Sequence, residues 1–242
     1  MTDLQLALRN RPPGRAVMFQ SWRDLLFLHF PCDPAEVAAL LPPGLSVDTF
    51  PDEHGVEKAW IGFVPFLMTN VRWANAPAIP GTHTFPETNI RTYVHRDGQE
   101  PGVWFFSLDA MNRLAVMTAR RAFSLPYFFA QMGLGREEKR VSYCGRRSGA
   151  SYEIEALLGD KIDPLEPGSL EFFLVERYLL YAFRGGRLWT GRVHHAPYSL
   201  CTAKPLKIKE SLVAAAGISP QEFIHAVFAP GVDVEIFPLR RT

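Results

Sequence analysis

The chain has 242 residues, 47% hydrophobic and 21% charged, proportions of a folded globular protein that exclude a disordered one. With 26 Lys and Arg against 25 Asp and Glu the formal net charge is +1, so no broad field draws the protein to nucleic acid or to anionic lipid. A chain of this length buries enough surface to need no disulfide or metal staple, and one domain is the expectation.

In chain order, residues 1–15 read as a loose arm ending at Pro12, Pro13 and Gly14, and 16–242 as a single domain. Asp24–Phe30 (DLLFLHF) is predicted as a strand. Asp33, Pro34 and Glu36 then supply an N-cap, a first-turn proline and a capping-box acid for a helix that must stop at Pro42-Pro43. Leu45–Trp73 reads as two or three strands and Asn75–Gly81 as a loop. Thr84–His95 and Gly102–Asp109 read as strands joined at Asp97-Gly98. Asn112 is placed to cap a helix through Arg120 and Arg121 that ends near Ser124, before Pro126. Arg140–Ala156 suggests a strand pair turning at Ser148-Gly149, and Ser169 caps a short helix. Arg177–Phe183 and Arg187–His195 form a hairpin across Gly185-Gly186. A last helix is expected from Ser219, Pro220 and Glu222, and a last strand over Val232–Phe237. Many strands without βαβ alternation predict a mainly antiparallel sheet or barrel with inserted helices.

Cys32, Cys144 and Cys201 are odd in number and form no CxxC pair, which predicts a reduced, cytoplasmic protein. No signal peptide is read in MTDLQLALRNRPPGR. No apolar run approaches the roughly 18–20 residues of a membrane span. Dinucleotide, P-loop, zincin and α/β-hydrolase motifs are all absent from the sequence. His194 and His195 are adjacent, so on a strand they point to opposite faces and do not share a metal. No metal or cofactor is therefore expected.

Three constellations carry chemistry. In Glu87-Thr88-Asn89-Ile90-Arg91-Thr92-Tyr93, strand alternation places Glu87, Asn89, Arg91 and Tyr93 on one face. That row either meets solvent or lines an internal cavity, and two threonines on the opposite face leave both options open. Arg120 and Arg121 suit the C-terminal end of a helix dipole, with an inward anion contact as the alternative. Glu176-Arg177 reads as a structural ion bridge.

At these residues the chain resembles a family. The segments WRDLLFLHF, LLPPGLSVDTF, FPETNIRTYV, GVWFFSLDA, ARRAFSLPYFFA, LVERYLLY and VHHAPYSL are similar to the YqjF-like family of uncharacterised proteins, which more distantly resembles acetoacetate decarboxylase. The resemblance implies a mainly β (α+β) fold, a closed antiparallel double-cone β-barrel with short peripheral helices and a central pocket. It sets Arg23, Glu87, Arg120 and Tyr127 at or near that pocket. Acetoacetate decarboxylase carries two lysines where this chain has Tyr127 and Phe128. The first forms a Schiff base and the second lowers its neighbour's pKa. A phenol and a phenyl ring do neither, so Schiff-base decarboxylation is rejected.

Two readings follow. In one the protein is an enzyme acting on a small anionic or carbonyl compound, with Glu87 as general acid or base and Tyr127 as oxyanion donor. Arg23, Asn89, Arg91, Arg120 and His195 would then bind substrate. In the other it is a non-catalytic small-molecule-binding protein that keeps the pocket. A small-molecule ligand or substrate is the expected partner in both, and homo-oligomerisation is left open.

Overall fold

The computed structural model describes residues 1–75, 83–162, 164–219 and 221–242. In chain order the elements are α1 (Thr2–Arg9), β1 (Met18–Cys32), α2 (Pro34–Ala38), β2 (Ser46–Val47), β3 (Phe50–Pro51), β4 (Glu57–Trp73), β5 (Phe85–Arg96) and β6 (Gln99–Ala110). There follow α3 (Arg113–Ala122), β7 (Tyr127–Phe129), β8 (Gln131–Glu137), β9 (Arg140–Arg147), β10 (Ala150–Lys161) and α4 (Leu170–Val175). The chain closes with β11 (Leu179–Arg184), β12 (Arg187–His194), β13 (Cys201–Glu210), α5 (Leu212–Ala215), β14 (His225–Ile236) and β15 (Arg240–Arg241).

Seven strands hydrogen-bond in the order β12-β11-β6-β5-β4-β1-β14, and β14 touches β12 again to complete a ring. The closed antiparallel barrel expected from the resemblance is nevertheless not what forms. The return contact is only Val193↔Ile236 and His194↔Glu235. From β14 the sheet also runs outward through β13, β10 and β9 to an edge at β8. Both β11 and β7 lie parallel to β6. The fold is mixed α+β, with a seven-strand ring and an open arm.

The reason lies in β14. Its first residues pair with β13 at Cys201↔Phe228 and Thr202↔Val227, while its last pair with β12. Pro230 and Gly231 stand between the two halves. Proline has no N–H for a ladder. Gly231 has φ +153, and a Cβ there would lie 2.5 Å from the Trp22 carbonyl oxygen. The strand changes partner at this point, so the sheet forks, one branch returning to β12 and the other running out through β13.

Local signals act as read in several places. Asp33 accepts from the Ala35 N–H at 2.8 Å and caps α2. Its capping-box partner Glu36 instead accepts from the Ser219 N–H at 2.9 Å. Asn112 caps α3 and Ser169 caps α4. The helix expected from Ser219 is corrected: residues 221–224 are not helical, and the short helix nearby is α5, before Gly217. Pro220 lies outside the described residues, as do positions 76–81 of the expected loop. Residues 1–15 carry α1, whose Arg9 pairs at 2.8 Å with the buried Glu176.

Two apolar clusters share the ring wall. Leu26, Leu28, Phe63 and Ile90 point toward the β8–β10 arm, where Tyr143, Tyr152 and Ile154 cover them. Their strand neighbours Leu25, Phe27 and Val64 point into the ring, toward Phe173 and Tyr198. This second side is not filled.

Candidate functional site

The interior of the ring holds a cavity of about 210 Å³. The β5 row reaches it because the strand alternates. Thr88 bonds the Tyr152 hydroxyl at 2.7 Å, Ile90 packs in the arm cluster, and Thr92 donates to the Trp60 carbonyl at 2.9 Å. Those odd partners satisfy the threonine face, so Glu87, Asn89 and Arg91 turn inward and line the cavity.

Glu87 is only 3% exposed and accepts a 3.0 Å hydrogen bond from the Tyr127 hydroxyl. Burial pushes its carboxyl from 4.5 up to about 8; the Tyr127 hydrogen bond pulls downward and the nearby Asp109 charge pushes up again. Glu87 is therefore mostly protonated at pH 7. Burial and Glu87 together hold the Tyr127 phenol well above its ordinary value. Tyr127 sits on β7, aligned with Leu108 of β6. Ser124, with φ +53, turns the chain from α3 into that strand.

Arg91 forms no ion pair with a carboxylate among the described residues. Its Nη2 donates to the Leu174 carbonyl at 3.3 Å and its Nε has no partner. The guanidinium lies 5.5 Å from the Phe27 ring and 5.7 Å from Tyr93. Gly62 makes room for it, since a Cβ there would press on Arg91 Cγ at 3.2 Å. Arg177 lines the same end. Its Nη1 bonds the buried Asp48 at 2.6 Å, its Nε donates to the Phe173 carbonyl at 2.8 Å, and its Nη2 is unpartnered. The Asn89 Oδ1 is also buried and unpartnered. The site thus offers a neutral acid, a phenol, an amide and two guanidinium groups inside apolar walls. None of the six lysines lines it.

The cavity brings together Glu87, Tyr127, Asn89 and Arg91. The other sequence candidates lie elsewhere. Arg23 follows Trp22, which lines the cavity, so Arg23 points to the opposite face; it pairs with Asp233 at 2.5 Å and donates to the Val232 carbonyl at 2.7 Å. Arg120 donates to the Tyr127 carbonyl at 2.5 Å and steadies the strand from outside. His195 is 3% exposed and packs 4.7 Å from the Tyr178 and Tyr198 rings, with Nδ1 on the Ala196 carbonyl at 2.7 Å. Burial lowers its pKa. Tyr93 is buried behind Arg91, 2.8 Å from His29 Nε2.

Sequence reasoning missed Arg177, read as an ion bridge to Glu176. Glu176 instead pairs with Arg9 and accepts from the Tyr178 hydroxyl at 2.6 Å. A signal existed: Asp48 in LSVDTF and Arg177 in FFLVERYLLY are charges in apolar stretches, and such charges are buried only with a partner. Among the described residues, no three His, Cys, Asp or Glu side chains converge as metal ligands. No helix among them is long and apolar enough to cross a membrane.

Comparison with known proteins adds the lineage. Residues 19–233 match the DUF2071 family, described as an uncharacterized conserved protein, and the chain belongs to that family. The uncharacterized protein YqjF of Bacillus subtilis (strain 168) is 38% identical over 239 residues, covering 95% of this chain and 94% of that one. Among solved structures, an acetoacetate decarboxylase-like enzyme from Sphingomonas wittichii RW1 superposes with a TM-score of 0.66 at 15% identity, covering 95% and 94% of the two chains. Acetoacetate decarboxylase from Legionella pneumophila gives 0.67 at 14% identity, covering 96% and 92%. The enduracididine biosynthesis enzyme MppR complexed with pyruvate gives 0.65 at 14% identity, covering 95% and 91%. These likenesses establish a shared fold.

Proposed function

We propose that this DUF2071 protein is an enzyme that moves a proton on a small carbonyl-bearing organic anion, without a Schiff-base lysine. The observation that carries the reading is the buried Glu87–Tyr127 pair, 3.0 Å apart, in one cavity with the carboxylate-free Arg91. Arg91 anchors the anion, by charge and by its open Nε donor. The ionised fraction of Glu87 takes a proton from the carbon beside the carbonyl. The C–H bond breaks, an O–H bond forms on Glu87, and the electron pair moves to the carbonyl oxygen as an enolate. Tyr127 donates to that oxygen. A carboxylate whose pKa is raised to about 8 is a stronger base than an ordinary one, and matched to neutral pH. The fold likeness to an enzyme complexed with pyruvate supports a substrate of this size and class.

The test is proton exchange. The protein is incubated in D₂O with a panel of small 2-oxo and 3-oxo acids, and NMR follows loss of the C–H signal beside the carbonyl. Exchange by wild type that vanishes in Glu87→Gln supports the reading. Binding with no exchange of any acid overturns it in favour of a passive binding protein, a reading favoured by the aromatic Tyr127 and Phe128 at the place of the two lysines.

A further inference from the structure

The cavity is polarised along its length. On β5 its lining runs from Arg91 through Asn89 and Glu87 to Phe85, a path of about 20 Å at the strand rise. Opposite Phe85 lies Met68, and Trp73 pairs with Met18 further along the same direction. The walls therefore change from the guanidinium groups of Arg91 and Arg177 at one end to mainly thioether, phenyl and indole at the other, where Gln20 and Arg72 are the polar side chains in the lining. At the apolar end the cavity is covered by α3, which contributes the small side chains Ala115 and Ala119. Phe123, just past α3, stacks 6.4 Å from Trp73 at an interplanar angle of 9°. Arg72 is exposed at this rim, with its guanidinium 4.3 Å from the Phe19 ring.

An anion head without a tail would leave those apolar walls facing water. A neutral hydrocarbon would leave Arg91 unneutralised. We propose that the cavity accepts an apolar monocarboxylate whose carboxylate sits on Arg91 and whose hydrocarbon tail points along β5 past Asn89 toward Glu87 and the apolar end bounded by α3. This rests on Arg91 as the anion anchor and adds the tail. Size follows from volume: a cavity of ~150 Å³ holds a benzene ring, so 210 Å³ holds roughly eight to ten heavy atoms, a carboxylate of about six to eight carbons. Ala115 and Ala119 set the length limit, because larger side chains there would fill the tail end.

Calorimetric titration of the full chain with unbranched monocarboxylates from acetate to dodecanoate tests this. Affinity is expected to rise about fourfold per methylene up to about six to eight carbons, then fall. Ala115→Leu and Ala119→Leu should shorten the optimum by about two carbons while short acids bind as before. Arg91→Gln should weaken every length at least tenfold and Arg72→Gln should not. The wild-type length series stands even where a variant fails to fold. Equal affinity for all lengths overturns the tail and leaves the anchor intact. Binding lost in Arg72→Gln but kept in Arg91→Gln overturns the orientation. No binding of any acid overturns the anchor itself, and the tail with it.

Discussion

Replacing Glu87 by Gln is the sharpest probe of the cavity's electrostatics. Glutamine keeps an oxygen for the Tyr127 hydroxyl and removes only the titration. In the unfolded chain Glu87 gives up its proton near 4.5, and in the folded protein at about 8. The folded state therefore binds more protons between those values. The contribution is fully present below 4.5, declines as pH rises, and is gone above the folded value. The gap corresponds to on the order of 5 kcal/mol between pH 4.5 and pH 9. Urea unfolding of wild type and Glu87→Gln across pH 5–9 isolates it, since every other titrating group is common to both. The wild-type stability should fall relative to the variant by about 1.4 kcal/mol per pH unit through this range and level off above pH 8. Two parallel curves would show that Glu87 ionises as it does in water, and would refute both its burial and its use as a raised-pKa base.

Tyr127→Phe removes the hydrogen bond that pulls the Glu87 pKa down; a carboxyl ¹³C titration should place Glu87 above about 8, with about 1 kcal/mol of stability lost. Asp48→Ala leaves the buried Arg177 without its carboxylate and should cost about 3–5 kcal/mol in denaturant unfolding. Asp48→Leu with Arg177→Met should recover most of that, because an apolar pair needs no compensation. Burial, then His225 and Arg91, hold the His29 pKa well below 6.5, and burial lowers His225. The unfolded chain binds more protons there, so stability is lost as pH falls from 6.5 toward the lowered values. Calorimetric melting from pH 7.5 to 5 should show that loss in wild type and less of it in His29→Gln.

What the sequence disclosed divides along physical lines. Caps and turns were readable because their chemistry is local: Asp33, Asn112, Ser169 and Asp97-Gly98 act within a few residues of themselves. The polar row of β5 was readable as a face, since alternation needs only the strand. Its direction was not, because Thr88 and Thr92 make the opposite face half polar. Only Tyr152, 64 residues away, and the Trp60 carbonyl show how those hydroxyls are satisfied. The Asp48–Arg177 pair spans 129 residues, a separation at which sequence supplies two lone charges but no pairing. That the sheet forks and does not form a closed barrel depends on the change of partner at Pro230-Gly231, a choice between β13 and β12 made by tertiary packing. Arg23, which only the family resemblance sets near the pocket, follows Trp22, and because Trp22 turns into the cavity Arg23 faces Asp233.

Charge balance within the cavity links its acid to its anchor. Arg91 and Arg177 are cations facing one end, Asp48 neutralises one of them, and Glu87 is mostly neutral at pH 7. Among the described residues at this end of the cavity, Arg91 is thus the cation without a carboxylate partner. Arg91 is only partly buried, so solvent as well as the faces of Phe27 and Tyr93 screens its charge, and leaving it unpaired costs less than a fully buried charge would. Two events can supply the missing negative charge: an anion enters, or Glu87 ionises. They compete, because either charge placed in the cavity raises the energy of the other. A bound anion must then raise the Glu87 pKa above about 8, and by reciprocity anion affinity must fall as pH rises through that value. The same coupling keeps Glu87 protonated on binding a charged ligand, so proton abstraction by Glu87 would be fastest where the pH is high enough to ionise it and low enough to retain the anion.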